Sequence, residues 1–225
     1  MKVHAALLFG AAIALLFGCA KNESGPVANT PAGAVRNPID FPVYPNSVTV
    51  AAAAFDQAEI AAALKKNGQG SDRDITPYKG NEVLLRSPAT LSQLESWVGK
   101  LRESPPAHLK LNSDDSSGDK QLMDEWGVRA VSLESGDKRH QVFVLVMDPK
   151  RVYDKIGPVI DLADKYKALP PMLRGGLEEQ VKKQTGVSIS QMLDKSNPVG
   201  MTLWGVKELK GSGQRAIVLL DAVRA

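Results

Sequence analysis

The only cysteine of this 225-residue chain, Cys19, carries the most reactive side chain in the sequence and directly follows an apolar run. A thiol at such a position can form a disulfide, act as a nucleophile or accept a lipid. A disulfide within the chain is excluded because there is no second cysteine. The chemistry of Cys19 therefore depends on the residues that precede it.

Residues 1–18 have the pattern of a secretory signal peptide. Lys2 supplies a positive start, the thirteen residues from Ala5 to Phe17 form an apolar core, and small residues follow. A helix of thirteen residues rises only about 20 Å, whereas the hydrocarbon core of a bilayer is roughly 30 Å thick. The sequence thus predicts export and disfavours a permanent transmembrane anchor.

The stretch LFGC, Leu16–Cys19, resembles the lipobox of bacterial lipoproteins, in which Leu, a small residue and Gly or Ala precede the cysteine. In that family the cysteine sulfur receives a diacylglycerol, the signal peptide is removed just before it, and the new amine is usually acylated. The resemblance implies that Cys19 is the lipid attachment residue and that the protein is anchored in a membrane. Phe17 departs from the pattern, which more often has Ala or Ser there.

Ala20 bears on both processing and location. Gly18 and Ala20 also satisfy a small-x-small rule, so ordinary cleavage after Ala20 is the alternative, and it leaves an unpaired thiol in an exported protein. In Gram-negative lipoproteins an Asp after the cysteine signals retention in the inner membrane. Because Ala20 is not Asp, the resemblance implies the outer membrane, facing the periplasm, if the host is Gram-negative.

Residues 19–38 are predicted to be a flexible, lipidated tether. They are rich in Pro, Gly, Ala and Asn and show no apolar periodicity. The nineteen residues that follow the cysteine have a root-mean-square span of roughly 25 Å. The folded body is therefore expected to lie just off the membrane surface.

The charge balance excludes one class of partner. The signal peptide contains one of the 28 basic residues and none of the 25 acidic residues, which leaves 27 basic against 25 acidic residues. A net charge near +2 on a chain of this length gives no electrostatic case for nucleic-acid binding. The predicted partners are a membrane, through the lipid, and an envelope protein.

Neither histidine of the predicted body indicates a metal or catalytic site. His108 lies in a Pro-rich loop and His140 at a predicted hairpin, and neither has an acidic or histidine neighbour at metal-ligand spacing. An EF-hand loop needs a carboxylate at its first position and a bidentate Glu at its twelfth. In the best register of the acidic loop 113–119, these two positions are occupied by Ser113 and Asp124, so the loop does not fit a calcium site. Nucleotide-binding, zinc-protease and serine-hydrolase motifs do not occur in the sequence. The sequence therefore predicts no catalytic, cofactor-binding or metal-binding residue.

The aromatic and charged residues are interpreted as structural. Carbohydrate-binding faces use clustered aromatic platforms, whereas Trp97, Trp126 and Trp204 are spread along the chain and are expected in core or half-buried positions. In residues 174–186, lysines stand four positions after glutamates, which is typical of a solvated helix face and not of a membrane-surface helix. Dispersed Asp and Glu are interpreted as surface residues.

Apolar periodicity predicts an α+β fold with a mainly antiparallel sheet and helices packed on one side. The globular domain is expected over residues 39–225, with a possible subdivision into 39–148 and 149–225. Its opening, Pro42–Asn46, resembles the P-x-Y-P-G start of uncharacterised bacterial exported proteins, a resemblance that implies no activity. Residues 128–135 and 140–148, joined by four residues that include Gly136, give the clearest hairpin signal.

The remaining elements follow from local patterns. Further strands are predicted at 47–55, 81–87, 108–111 and 215–223, the last apolar enough to be buried on both faces. Helices are predicted after Asp56 and at 188–195, and a helix opened by Ser87 and Pro88 is predicted from the helical spacing of Leu91, Leu94, Val98 and Leu101. Two further apolar stripes predict helices: Ile156, Val159, Ile160, Ala163, Tyr166 and Leu173, Leu177, Val181. Residues 196–211 fit a helix with Ser196 as its cap and Gly211 as its end, but Gly200 and Gly205 count against a helix, and a strand is the alternative. The stripes are expected to cover the last strand.

These features favour a non-enzymatic envelope lipoprotein that binds a protein partner. One alternative is a carrier or sensor of a lipophilic ligand, in which the helices of residues 156–194 close an apolar pocket against the sheet. The other is a hydrolase whose active-site residues are distant in sequence. A large apolar cavity would favour the carrier, and a cleft with a convergent carboxylate, histidine and serine would favour the enzyme.

Overall fold

The computed structural model describes residues 36–56, 78–112, 124–185, 189–192 and 198–224. It confirms the α+β class, with a six-stranded sheet in which all paired strands are antiparallel. The strands are β1 (Val48–Asp56), β2 (Tyr78–Ser87), β3 (Leu109–Leu111), β4 (Val128–Ser135), β5 (His140–Met147) and β6 (Arg215–Arg224). Their order across the sheet is β1-β2-β6-β5-β4-β3.

The last strand, β6, occupies the middle of the sheet. It pairs with β2 along ten residues and with β5 along eight, so both of its backbone edges are hydrogen-bonded. Ala216–Leu220 are all buried, which confirms the prediction that this strand is covered on both faces. Because β6 lies between β2 and β5, residues on both sides of position 149 build one sheet.

Helices cover both faces of the sheet, where the sequence predicted one side. Helix α1 (Leu91–Glu103) packs on one face, here named face A, and helices α2 (Pro149–Ala168) and α5 (Pro198–Leu209) pack on the opposite face B. The reason is the apolar alternation of the central strands: Val83 and Leu85 point to face A while Leu84 points to face B. Helices α3 (Pro171–Thr185) and α4 (Ile189–Met192) lie between α2 and α5 in the chain.

Helix α1 begins three residues later than predicted. Ser87 is the last residue of β2, and Thr90 is the N-cap of the helix, where it forms a capping box with Gln93. The predicted stripe is otherwise correct, since Leu94, Val98 and Leu101 are buried against face A.

Residues 198–209 form a helix, which decides between the two predicted alternatives. The sequence argument against a helix rested on Gly200 and Gly205. A side chain at Gly205 would collide with Leu84 of the sheet, so this glycine lets α5 approach face B closely. The glycine that weakened the helix prediction is thus explained by packing.

Two helix predictions have other outcomes. Asp56 is the last residue of β1, and the helix predicted to follow it lies outside the described residues. The stripe that begins with Leu173 and Leu177 was expected to face the core, but both side chains are exposed on α3. The prediction was wrong for these residues because the apolar face of α2 and α5 already covers the sheet.

In the described part of the chain, no helix is long and apolar enough to cross a membrane.

Candidate functional site

The residues singled out for chemistry in the sequence lie mostly outside the described ranges. Cys19 and the acidic loop 113–119 are among them. Asp124 is described, and its carboxylate accepts a hydrogen bond from Arg129 at 2.5 Å, while Arg129 also contacts Glu95 of α1 at 2.9 Å. Asp124 therefore takes part in a surface ion-pair network. Within the described ranges, no group of three His, Cys, Asp or Glu could hold a metal ion.

The structure brings together a polar cluster that the sequence analysis missed. The Nε2 atom of His140, at the start of β5, lies 2.5 Å from Oδ1 of Asp221 on the neighbouring strand β6. The ring of His108, just before β3, stacks over His140 with 6.2 Å between centroids and 9° between planes. His140 and Asp221 are 81 residues apart in sequence, so no local spacing reveals the pair.

Ser135 completes a carboxylate, histidine and serine set at this end of the sheet, but its hydroxyl is engaged elsewhere. It donates to Oδ1 of Asp137 at 2.5 Å and accepts from the backbone N–H of His140 at 3.0 Å. Asp137 also accepts a hydrogen bond from the backbone N–H of Arg139 at 3.1 Å. The bond from Ser135, and next the one from Arg139, lower the pKa of Asp137. The Ser135 hydroxyl therefore closes the β4–β5 hairpin, and the arrangement is not that of a nucleophile activated by the imidazole.

A groove beside α1 is a candidate binding surface among the described residues. It has a volume of about 450 Å³ and is open to solvent. Its lining comes from α1, from the residues just after it and from the segment before β1: Pro42, Trp97, Lys100, Leu101, Glu103, Ser104 and Pro106. We refer to it as the Trp97 groove. Most of its surface is apolar, and its two charged residues, Lys100 and Glu103, are exposed and are here called its rim.

The walls of the Trp97 groove are held in place by the core. Ile39 and Phe41 are buried against face A, which fixes the segment that carries Pro42. Tyr44 meets Trp97 edge to face, with 6.0 Å between ring centroids and 80° between planes, a favourable aromatic geometry. The expectation of a half-buried Trp97 is confirmed, and it is this half-burial that leaves one side of the indole in the groove.

The two other tryptophans lie on the opposite side of the sheet. Trp126 is buried in the core of face B, and Trp204 of α5 is half-buried against it. The sequence could not reveal the groove because Pro42 and Trp97 are brought together only by the packing of the chain start against α1.

The space under the face B helices is small where the structure describes it. A void bounded by Val128, Leu145, Met147, Val152, Ile156, Thr202, Leu203 and Val206 has a volume of about 10 Å³. One water molecule needs roughly that much. This void therefore has no room for a lipophilic ligand.

Glu82 of β2 is a buried carboxylic acid in this same layer, and it corrects the interpretation of dispersed acids as surface residues. Its side chain is 1 % exposed, and its Oε1 accepts a hydrogen bond from Thr202 of α5 at 3.1 Å. Its Oε2 has no partner among the described residues. Burial raises the pKa of Glu82 well above its usual value, and the hydrogen bond from Thr202 offsets this only in part.

The fold and the groove define this chain as an α+β protein with an open aromatic groove beside its sheet. No family model, curated protein or solved structure matches it. Its function is therefore argued from the groove and from the sequence of its N-terminus.

Proposed function

We propose that this protein is a membrane-anchored envelope lipoprotein that works without catalysis and binds an extended, proline-containing segment of an envelope protein. The membrane anchor rests on the lipobox resemblance at Leu16–Cys19. The binding role rests on one observation, the Trp97 groove, whose 450 Å³ falls within the roughly 300–1,000 Å³ of typical ligand sites.

The shape of the groove favours a chain over a small molecule. Small-molecule sites bury about 70–90 % of their ligand, which an open groove does not do. A peptide that passes through the groove needs only one face covered. Extended polyproline segments dock on aromatic walls in this way, and their preformed conformation keeps the entropic cost of binding low.

The rim supplies the polar contacts that a peptide requires. Lys100 and Glu103 stand three positions apart on α1, so a donor and an acceptor lie on the same side of the helix. A peptide backbone offers carbonyl oxygens to Lys100, and the residues other than proline also offer N–H groups to Glu103. The apolar part of the lining, which includes Trp97 and Leu101, then receives proline rings, as aromatic-lined grooves do in the recognition of Pro-rich segments.

The test is a titration of the mature chain with an acetylated decaproline peptide, monitored by calorimetry and by Trp97 fluorescence. Trp126→Phe and Trp204→Phe make Trp97 the only indole. We expect saturable binding of decaproline and none of a Gly-Ser peptide of equal length. Trp97→Ala should weaken binding at least tenfold, since tryptophan is among the residues that most often dominate the binding energy of an interface.

Two further variants separate binding from folding. Lys100→Glu changes an exposed side chain and should weaken binding several-fold, while its cost in stability should stay at about 1 kcal/mol or less, because it places an anion in the last turn of α1. Ser96→Ala is the matched control, because Ser96 is exposed on α1 and bonds only back to the Ser92 carbonyl. Decaproline binding that is absent, or that survives both Trp97→Ala and Lys100→Glu unchanged, would reject the groove as the binding site.

A further inference from the structure

Exposed apolar side chains are concentrated where α2 turns into α3. Met172 is 89 % exposed, Leu173 58 % and Leu177 41 %, and the two prolines that precede them are also exposed. The other large apolar side chains found exposed stand at separate sites, and none is as exposed as Met172. We call residues 165–177 the α2–α3 tip. An apolar cluster of this kind marks a contact surface.

The charge of the tip is entirely positive. Residues 165–177 contain Lys165, Lys167 and Arg174 and no acidic residue. Glu178, the first acid after the tip, accepts hydrogen bonds from the backbone N–H of Ser190 at 3.0 Å and from its hydroxyl. Its carboxylate is therefore held against α4. Exposed apolar side chains with cations on their N-terminal side match the boundary between acyl chains and anionic headgroups.

We propose that the α2–α3 tip docks on the anionic phospholipid surface of the membrane, inserting Met172, Leu173 and Leu177 while the exposed Lys165 faces the phosphates. This inference extends the proposed lipid anchor. Three apolar side chains bind a bilayer weakly on their own. A tether with a span of roughly 25 Å raises the effective concentration of the tip at the surface to the millimolar range, where weak contacts are occupied.

The size of the tip favours a bilayer over a protein partner. A stable protein interface buries at least about 1,000 Å², which three side chains on one helix turn do not provide. A bilayer needs no complementary shape and accepts each side chain separately. Docking of the tip would fix the orientation of the sheet relative to the membrane.

The first experiment uses the mature chain, residues 19–225, with Cys19→Ser so that no lipid contributes. Sedimentation is measured with vesicles of phosphatidylethanolamine and phosphatidylglycerol and with vesicles of phosphatidylcholine alone. We expect partial binding to the anionic vesicles at millimolar lipid, and binding at least tenfold weaker to the neutral ones. The double substitution Met172→Asp and Leu173→Asp should reduce binding to anionic vesicles at least tenfold.

Val48→Asp is the matched control, because Val48 is 47 % exposed at the first residue of the edge strand β1. It should leave vesicle binding unchanged. Equal binding by the double variant and the parent, or equal binding to both kinds of vesicle, would overturn the proposal. A dimer that forms without vesicles and dissociates in the double variant would assign the tip to a second copy of the chain, which also overturns it.

The second experiment tests the tip in the anchored protein. Met172→Cys provides a thiol for a fluorophore, since the only natural cysteine is expected to carry lipid. Brominated acyl chains should quench a probe at position 172, while a probe introduced by Asp137→Cys in the β4–β5 turn should be unaffected. Mass spectrometry of the N-terminus reports the anchor separately. An unlipidated N-terminus would therefore count against the proposed function, and an unquenched probe on a lipidated chain against the tip.

Discussion

The unfolding free energy of the folded domain is expected to decrease as the pH rises above about 4.3, by up to about 1.4 kcal/mol per pH unit. The cause is Glu82, whose pKa is raised by burial between β2 and α5. Below the pKa of the unfolded chain, both states hold the proton and the contribution of Glu82 is fully present. Above it, only the folded state holds the proton, so stability is lost until the pH passes the raised pKa of the folded state.

Urea denaturation between pH 4 and pH 9 measures how the unfolding free energy changes with pH. Two variants test whether Glu82 causes this change. Glu82→Gln replaces the acid by a neutral group of similar shape, so the component of the slope that comes from this position should disappear. The double substitution Glu82→Met and Thr202→Val removes the buried polar atoms of both partners, and it should stabilise the domain by about 1 kcal/mol or more above neutral pH. A Glu82→Gln variant with the same slope as the parent would contradict this account.

Thr202 provides an independent check on the same carboxyl group. Its hydroxyl donates the one hydrogen bond that lowers the pKa of Glu82, at 3.1 Å. Thr202→Val removes that donor, so the pH range in which stability falls should extend further upward. The lost hydrogen bond should also cost about 1–3 kcal/mol, because it leaves a buried acceptor without a donor. Thr202→Ser keeps the hydroxyl and is the matched control.

Much of the fold could be predicted because its signals are local. The alternation of apolar residues in β4 and β5 and the four-residue turn between them predicted the hairpin, and the apolar run of β6 predicted a strand covered on both faces. The spacing of Leu94, Val98 and Leu101 predicted the buried face of α1. In each case the evidence lies within one element.

The features that were missed depend on contacts between distant residues. The sequence NEVLLRS predicts a strand, but it does not reveal that Glu82 points under α5, because that helix lies more than a hundred residues later. The pairing of His140 with Asp221 requires β5 and β6 to be neighbours, an arrangement that no spacing in the sequence encodes. The Trp97 groove likewise exists only once the segment at Pro42 has packed against α1.

The exposed stripe on α3 was misjudged for a related reason. Helical spacing shows which residues share a face, but it does not show what that face meets. Leu173 and Leu177 were assigned to the core because β6 has two faces to cover. Buried residues of α2 and α5, with Ile156 and Val206 among them, cover face B instead.

The largest expected effect belongs to Cys19→Ala, which should release the protein from the membrane completely. Cys19 is the only thiol in the chain, so no other residue can accept the diacylglycerol. Two acyl chains at about 0.8 kcal/mol per buried CH₂ contribute more than roughly 20 kcal/mol to membrane attachment. The weak contact proposed for the α2–α3 tip cannot replace this. In a fractionation experiment, the variant should therefore be found in the soluble fraction, or it should remain an unprocessed precursor.

Phe17→Ala is the matched control, because it changes the neighbouring residue toward the commoner lipobox pattern. It should be processed at least as well as the parent and remain in the membrane fraction. Mass spectrometry of the mature N-terminus then decides between the two cleavage models. The lipoprotein model requires a chain that begins at Cys19 and carries the mass of its acyl groups, whereas ordinary secretion predicts an unmodified chain that begins at Lys21. An unmodified chain would contradict the anchor and leave the groove as the sole basis for function.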